Sequence, residues 1–438
     1  MATETIRKDT TDKLKPRFQK ENLIKTFKTI RNFSDTLVAP LETEDFVIQA
    51  MENTSPTKWH LAHTSWFFET FILEKAIRDY ESMHPQYAYL FNSYYLQTGE
   101  PYKRADRGLI SRPTVSEVFD YREYIDEQVI DFLDRADQDR LSEWGPVIEI
   151  GIHHEQQHQE LILTDLKYMF YQNPLNPAYR DLQLPESKTP DELRWISFEE
   201  GIYHVGNDGG EFTYDNEHPR HRRFLEPFSV TDRLITNAKF LEFIEDDGYH
   251  RSPLWLDDGW ATVNERGWEA PLYWEKRDDE WYQFTLSGLR KLEPNEPVSH
   301  ISYYEADAFA RWAGARLPTE GEWEAVAGDL PYEGNFVDEG HYHPKPLQNS
   351  ENEGFKQVYG DVWEWTQSGY DPYPGYKPLE GALGEYNGKF MCGQYVLRGG
   401  SCATSQSHIR KTYRNFFYPD ARWQFSGLRL ARSLHGDS

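Results

Sequence analysis

Residues 360–366 read Gly-Asp-Val-Trp-Glu-Trp-Thr, and they decide the fold together with three other stretches of the carboxyl-terminal half. The other three, in chain order, are Arg316-Leu-Pro-Thr-Glu-Gly-Glu-Trp-Glu324, Val396-Leu-Arg-Gly-Gly-Ser401 and Phe425-Ser-Gly-Leu-Arg-Leu-Ala431. The tryptophans of these stretches (Trp323, Trp363 and Trp365) predict core packing, and Gly399-Gly400 permits a tight turn. The surrounding region has short apolar runs and many glycines, which predicts irregular β structure with long loops.

The amino-terminal part has a different sequence pattern, because its apolar residues recur at helical spacing. This period predicts an up-down four-helix bundle, with helices over 21–38, 57–80, 114–135 and 146–171. The connection over 81–113 is rich in tyrosine and arginine rather than serine and glycine. Loops of this length in compact domains are commonly functional, so we expect this one to carry functional residues.

These two sequence patterns predict an α+β chain with separate helical and β-rich parts. The expected order is a polar tail over 1–20, a metal-binding helix bundle over 21–172, a proline-containing linker over 173–194 and a second domain over 195–438. Inside the second domain, short helices are expected over 236–246 and over 302–314, the latter running toward 319–327.

Composition excludes several classes of protein. The chain has 438 residues with 47 basic and 73 acidic side chains, for a net charge of −26, which disfavours nucleic acid and anionic membrane surfaces. No apolar run approaches the roughly 18–20 residues of a membrane span, and the amino terminus lacks the apolar region of a signal peptide. Two cysteines, Cys392 and Cys402, form no disulfide framework. We therefore expect a cytoplasmic protein.

The segment Gly151-Ile-His-His-Glu-Gln-Gln-His-Gln-Glu160 is the most informative for chemistry. On a helix, His154 and His158 point to one face, whereas His153 lies well round the helix. One interpretation is the H-E-x-x-H helix of zinc hydrolases, with Glu155 as the base. The other is H-x-x-x-H-x-E, in which the two histidines bind a metal with a third ligand from another helix.

The second predicted helix offers that third ligand. His63 shares an apolar stripe with Trp59 and Phe67 that faces the bundle core, whereas we expect His60 to be exposed. Metal sites in bundles are commonly built from side chains on facing helices. With three imidazoles and no cysteine, both Fe(II) and Zn(II) fit by ligand softness, and spacing does not choose between them.

The four carboxyl-terminal motifs, in this order, resemble the formylglycine-generating-enzyme (sulfatase-modifying factor) domain, a variant of the C-type lectin fold. A DinB-like four-helix bundle joined to that domain resembles the ergothioneine-type sulfoxide synthases, which are nonheme iron enzymes, from about residue 20 to 432. The resemblance implies that His63, His154 and His158 bind Fe(II). It also implies O2-dependent joining of a thiol to imidazole C2 of Nα-trimethylhistidine (hercynine), giving a sulfoxide.

Further roles follow from the same resemblance. It implies that Arg104 and Arg107 hold the carboxylate of the thiol substrate and that Gln157 orients the trimethylammonium end of hercynine. Asn415 and Phe416 would contact hercynine beside its carboxylate.

A proton or electron donor is also required, and tyrosine serves for both. Tyr94 and Tyr95 are favoured because they follow the metal-bearing second helix directly. Tyr370, Tyr373 and Tyr376 are alternatives, since some relatives take their tyrosine from that segment.

One residue departs from the family pattern. Relatives that use γ-glutamylcysteine carry Asp two residues after the position of Asn415, and this chain has Phe417 there. The departure favours a smaller thiol, free cysteine, with γ-glutamylcysteine as the alternative.

Four rival functions are weaker matches. A copper-dependent formylglycine-generating enzyme needs a close cysteine pair, and Cys392 and Cys402 are ten residues apart. A zinc hydrolase of the metzincin type would continue with Gly and a third His after His158. A lectin-like binding module would leave the histidines without a role. An ovothiol-type synthase usually carries a methyltransferase domain, for which no glycine-rich nucleotide-binding segment is present.

Overall fold

The computed structural model describes residues 17–182, 192–348 and 354–434. Most of the predicted tail over 1–20 and the middle of the predicted linker over 173–194 lie outside the described residues. In the part that is described, we find no helix of the length and apolarity that crossing a membrane requires. The domain limits given above stay a prediction.

The amino-terminal part is helical, as the apolar spacing predicted. Its helices are α1 (Lys20–Val38), α2 (Thr57–Phe68), α3 (Glu74–Ala76), α4 (Tyr87–Leu90), α5 (Val115–Arg135) and α6 (Gln138–Tyr171). The four long helices pack together, with α2 against α5 and α6, and α1 against the same two helices. The hydrophobic core of the bundle lies between them.

Two helix bounds differ from the prediction. The helix predicted over 57–80 changes at Glu69–Leu73 into a wider π-helical turn and ends at α3. The helix predicted from residue 146 begins eight residues earlier, at Gln138, because the side chain of Asp137 caps it by accepting a hydrogen bond from the Arg140 backbone N–H. Pro146 therefore lies inside α6, where it supplies no backbone N–H.

The carboxyl-terminal part combines short strands with short helices, which confirms the α+β class. The strands are β1 (Trp195–Phe198), β2 (Gly201–Val205), β3 (His221–Leu225), β4 (Phe228–Thr231), β5 (Trp274–Arg277), β6 (Glu280–Thr285), β7 (Gly288–Lys291), β8 (Trp363–Gly369), β9 (Tyr395–Arg398), β10 (Asn415–Phe417), β11 (Ser426–Gly427) and β12 (Ala431–Ser433). They form small sheets in the orders β1-β4-β12, β2-β3, β5-β6-β7 and β10-β9-β8-β11. All pairs are antiparallel except β8 with β11.

The helices of this part are α7 (Asn237–Glu245), α8 (Asp257–Arg266), α9 (Tyr303–Trp312) and α10 (Glu320–Ala327). Three of them match the predicted segments. The helix α8 was not predicted, because only Gly259 and Val263 of its ten residues are buried and its apolar period is correspondingly weak.

The motif that opened the sequence analysis lies at the centre of this part. Trp363 and Trp365 on β8 are buried, as is Trp323 on α10, so these tryptophans pack the core as predicted. Gly399 has a φ of 95°, and a Cβ there would meet the carbonyl oxygen of Val358 at 2.6 Å. Only glycine fits that turn, which brings β9 against the motif.

Candidate active site

Three histidines from two bundle helices meet in the interior. His63 comes from α2, and His154 and His158 come from α6. One ring nitrogen of each lies within 4.8 Å of the other two, and all three side chains are buried. The i, i+4 spacing on α6 and the packing of α2 against α6 produce this cluster.

Burial sets the charge state of the three rings. Desolvation lowers the pKa of His154 to about 3 and holds the pKa values of His63 and His158 well below the ordinary value of 6.5. The rings are therefore neutral near pH 7, which is the form that binds metals. The Nδ1–H of His63 donates to the backbone carbonyl of Phe91 at 2.5 Å, which leaves its Nε2 as the available ligand atom.

His60 is also buried here, with 2% of its surface exposed, and this corrects the expectation that it would face solvent. The reason is that every residue of α2 is buried: the helix packs against α5 and α6, and Trp59 and His63 hydrogen-bond the carbonyls of Leu90 and Phe91 in the 81–113 connection. His153, by contrast, lies away from the cluster as expected, with its Nδ1 at 2.9 Å from Nδ1 of His408.

Glu155, the base of the zinc-hydrolase interpretation, is engaged elsewhere. Its carboxylate accepts hydrogen bonds from Arg31 at 2.9 Å, Arg122 at 2.8 Å and the Ser34 hydroxyl at 2.5 Å. Despite full burial, the two guanidinium groups hold the pKa of Glu155 well below its ordinary value. Glu155 also does not line the cavity beside the histidines, so this geometry does not support a hydrolase base.

A cavity of about 690 Å³ opens beside the histidines, between the bundle and the carboxyl-terminal part. Most residues proposed from the sequence line it. These are His63, His154 and His158, together with Tyr94, Arg104, Arg107, Gln157, Asn415 and Phe416. Tyr95 does not belong to the wall. It is fully buried behind Tyr94, with ring centroids 4.6 Å apart and hydroxyl oxygens 3.5 Å apart.

Arg104 and Arg107 supply positive charge to one wall. The Arg107 guanidinium lies 3.4 Å above the Trp59 ring and donates to the hydroxyls of Ser55 and Ser93 at 2.8 and 3.0 Å. Arg104 donates to the backbone carbonyl of Asn53. Among the described residues neither group has a carboxylate within 4.0 Å. Arg107 is buried, and this desolvation holds its pKa well below the ordinary value, so an anion in the cavity would stabilise its charged form.

Other residues that line the cavity carry aromatic rings and side-chain amides. Gln157 donates from Nε2 to the hydroxyl of Tyr413 at 2.6 Å, and its Oε1 accepts the hydroxyl of Tyr386. Phe416 stacks on Tyr370 with ring centroids 4.0 Å apart. Asn415 lies next to it on the same strand, β10, and lines the cavity.

Tyrosines of the carboxyl-terminal part lie at the cavity in places the sequence did not indicate. Tyr214, Tyr386 and Tyr413 line it, and the ring of Tyr386 is 5.8 Å from that of His154. In a chain with 28 tyrosines, loop residues of this kind carry no distinguishing spacing. The alternatives Tyr373 and Tyr376 are bonded to Glu320 and Asp215 and do not line the cavity.

Comparison with known proteins agrees with this architecture. Residues 183–434 match the family model of the sulfatase-modifying factor enzyme 1-like domain. The hercynine oxygenase of Mycolicibacterium smegmatis is 30% identical over 406 residues, covering 86% of this chain and 91% of that protein. The hercynine oxygenase of Mycobacterium tuberculosis is 32% identical over 65% of this chain and 71% of its own length.

The formylglycine-generating enzyme of Streptomyces coelicolor is 29% identical over 53% of this chain and 86% of its own length. It therefore covers about half of the chain, whereas the first of the hercynine oxygenases covers most of it. These matches confirm the resemblance that the four motifs and the bundle indicated. The chain belongs to the hercynine oxygenase family, the ergothioneine-type sulfoxide synthases, and its carboxyl-terminal part to the sulfatase-modifying factor enzyme 1-like domain family.

Proposed function

We propose that this protein is an O2-dependent nonheme iron sulfoxide synthase of ergothioneine biosynthesis, joining a thiol to imidazole C2 of hercynine. One observation carries the proposal. Three neutral, buried imidazoles line a cavity that is also lined by two guanidinium groups, and no described residue places a carboxylate within 4.0 Å of either guanidinium. The three imidazoles are suitable ligands for a metal, and the two guanidinium groups are suitable partners for the carboxylate of an amino-acid thiol.

The residues present fit a divalent metal. Nδ1 of His154 is a buried polar atom without a hydrogen-bond partner among the described residues, and Nε2 of His63 is left free by the Phe91 bond. His63, His154 and His158 would hold Fe(II). When bound, the iron would lower the pKa of the thiol and supply one-electron chemistry with O2. The three imidazoles are the only ligands proposed, and no carboxylate joins them, so coordination positions on the iron would remain for the substrates.

The thiol substrate is bound through Arg104 and Arg107 in this proposal. A guanidinium pairs with a carboxylate through parallel N–H···O bonds, and Arg107 is held in place by Trp59 and two serine hydroxyls. This fixes one end of the thiol and directs its sulfur toward the histidines. Positioning both substrates beside one metal converts an encounter of several molecules into an oriented reaction.

Hercynine occupies the aromatic side. Gln157, fixed between Tyr386 and Tyr413, orients the trimethylammonium end, and the surrounding ring faces attract a cation. Asn415 hydrogen-bonds the carboxylate, and Phe416 packs beside it. The acidic character of the chain does not oppose a cationic substrate.

Tyr94 is the proposed proton or electron donor, because its ring reaches the cavity and Tyr95 lies behind it. Burial raises the pKa of Tyr94, so the phenol keeps its proton near pH 7 and acts as a donor. Tyr95 is the second tyrosine of the proposed donor pair, with its hydroxyl oxygen 3.5 Å from that of Tyr94.

The favoured thiol is L-cysteine. Phe417 lines the cavity where relatives that use γ-glutamylcysteine have Asp. A phenyl ring offers no acceptor for the ammonium group of a γ-glutamyl moiety, whereas cysteine does not need one. γ-Glutamylcysteine is the second candidate.

The test is anaerobic reconstitution of the metal-free protein with Fe(II), followed by O2, hercynine and either thiol, with products read by mass spectrometry. We expect a cysteine–hercynine sulfoxide, with a smaller yield from γ-glutamylcysteine. A matched sample loaded with Zn(II) is the control, since zinc has no redox chemistry. Absence of a sulfoxide adduct with both thiols, or equal activity with zinc, would overturn the proposal.

A further inference from the structure

Two buried polar residues outside the three-histidine cluster connect to one of its members. Nδ1 of His60 lies 2.8 Å from Nδ1 of His158, and Nε2 of His60 lies 3.1 Å from Oδ2 of Asp165. His60 and Asp165 are each 2% exposed. The three side chains form a continuous row from a carboxylate to the cluster.

The hydrogen atoms of this row can be placed by elimination. The carboxylate of Asp165 only accepts, so Nε2 of His60 carries the hydrogen and its Nδ1 holds a lone pair. That lone pair accepts the Nδ1–H of His158. The lone pair of His158 is then on Nε2, the nitrogen that remains for a metal.

The far end of the row is itself anchored. Oδ2 of Asp165 also accepts the backbone N–H of Ser55 at 2.9 Å, and the hydroxyl of Ser55 accepts from Arg107 at 2.8 Å. Asp165 follows His158 by two helical turns on α6, while His60 and Ser55 belong to α2 and the residues before it. The row therefore joins the two helices that supply the histidines.

From this geometry we infer that His60 and Asp165 are positioning residues for the metal site: they fix the tautomer and ring orientation of His158 so that Nε2 faces the metal. The inference rests on the proposed function, in which His158 binds iron. It assigns to His158 the same arrangement that the Phe91 carbonyl gives to His63. Partners of this kind change metal affinity by about 10- to 100-fold when they are removed.

The test compares four variants of the full-length protein by metal binding. His60→Phe fills the same space without an acceptor, whereas His60→Asn places a carboxamide oxygen near the position of Nδ1. Asp165→Ala removes the far end of the row. The matched control is His343→Phe, because His343 is equally buried and bonded to a carboxylate, Glu296 at 2.9 Å, but does not line the cavity.

Fe(II) affinity is measured anaerobically by competition with a chelator, and the absorption bands of bound Co(II) report the ligand geometry. We expect Kd for Fe(II) to rise about 10- to 100-fold in His60→Phe and Asp165→Ala. His60→Asn should recover much of the affinity, and His343→Phe should match the wild type. If His60→Phe does not fold, Asp165→Ala and His60→Asn decide the question.

The outcomes separate the two proposals. If the wild type binds no stoichiometric Fe(II) or Co(II), the proposed function fails. If the wild type binds metal and Asp165→Ala and His60→Phe bind it equally well with unchanged Co(II) bands, the positioning role is refuted. An equal loss in His343→Phe would also refute it, because the effect would then be general destabilisation.

Discussion

The buried carboxylate of Glu155 gives the sharpest test of what the His154-Glu155-x-x-His158 segment does. Glu155→Gln keeps the shape and removes the charge. Breaking a buried ion pair by removing one partner costs about 3–5 kcal/mol. Here Arg31 keeps Asp126 at 2.6 Å and Arg122 keeps Asp35 at 2.9 Å, so neither cation is left alone. We therefore expect the lower end, a loss of about 3 kcal/mol in the free energy of unfolding.

The assay is urea denaturation of the metal-free protein, followed by circular dichroism because the bundle is helical. Asp35→Asn is the control, since Asp35 is half exposed and its pair with Arg122 should contribute less than about 1 kcal/mol. Metal content should stay at the wild-type level in both variants. A Glu155→Gln protein with unchanged stability but no catalytic activity would refute the structural role and restore the general-base interpretation.

The same carboxylate predicts a pH dependence. Its pKa is lowered in the folded state, so the stabilisation is fully present above the ordinary value of 4.5 and is lost as the pH falls toward the folded value. The difference in unfolding free energy between wild type and Glu155→Gln should therefore shrink as the pH falls below about 4.5. A difference that grew on acidification would contradict this sign.

The remaining predictions concern turnover. Tyr94→Phe should raise the ratio of thiol dioxygenation to sulfoxide formation, measured by mass spectrometry. If Tyr386→Phe changes this ratio and Tyr94→Phe does not, the donor is Tyr386 rather than Tyr94. Arg107→Gln should raise the KM of the thiol about 10- to 100-fold, as expected for loss of a charged hydrogen bond worth about 1.5–3 kcal/mol, while the KM of hercynine changes less than about twofold. Equal changes in both KM values would argue against a dedicated thiol carboxylate site.

The sequence predicted the bundle and the three histidines because both depend on helical spacing. His154 and His158 are one turn apart, and His63 shares a stripe with Trp59, so a period of 3.6 residues places all three toward the interior. The order of a helical part followed by a β-rich part was predicted from the change in apolar spacing near residue 195. These features depend on the spacing of residues that are close in the chain, and such spacing can be read from a single sequence.

Features that depend on contacts between distant segments were not predictable in the same way. His60 was expected to be exposed, because the stripe rule assumes that a helix has one solvent face, and α2 has none. Tyr386 is 229 residues from Gln157, to which it is bonded, and no periodicity relates the two. The cap at Asp137 extended α6 past a proline, although proline is the usual signal for a helix start.

The final glutamate of H-x-x-x-H-x-E explains why the bundle motif and the carboxyl-terminal motifs occur in one chain. Glu160 is buried, and its carboxylate accepts from Trp363 at 2.7 Å, Ser401 at 2.7 Å and Thr404 at 2.8 Å. Trp363 belongs to the 360–366 motif and Ser401 ends the 396–401 motif. About two turns of α6 therefore present His154 and His158 to the cavity and hydrogen-bond the carboxyl-terminal part of the chain through Glu160. The three-histidine cluster and the carboxyl-terminal residues that line the cavity therefore meet at one helix, so neither motif set can build the cavity alone.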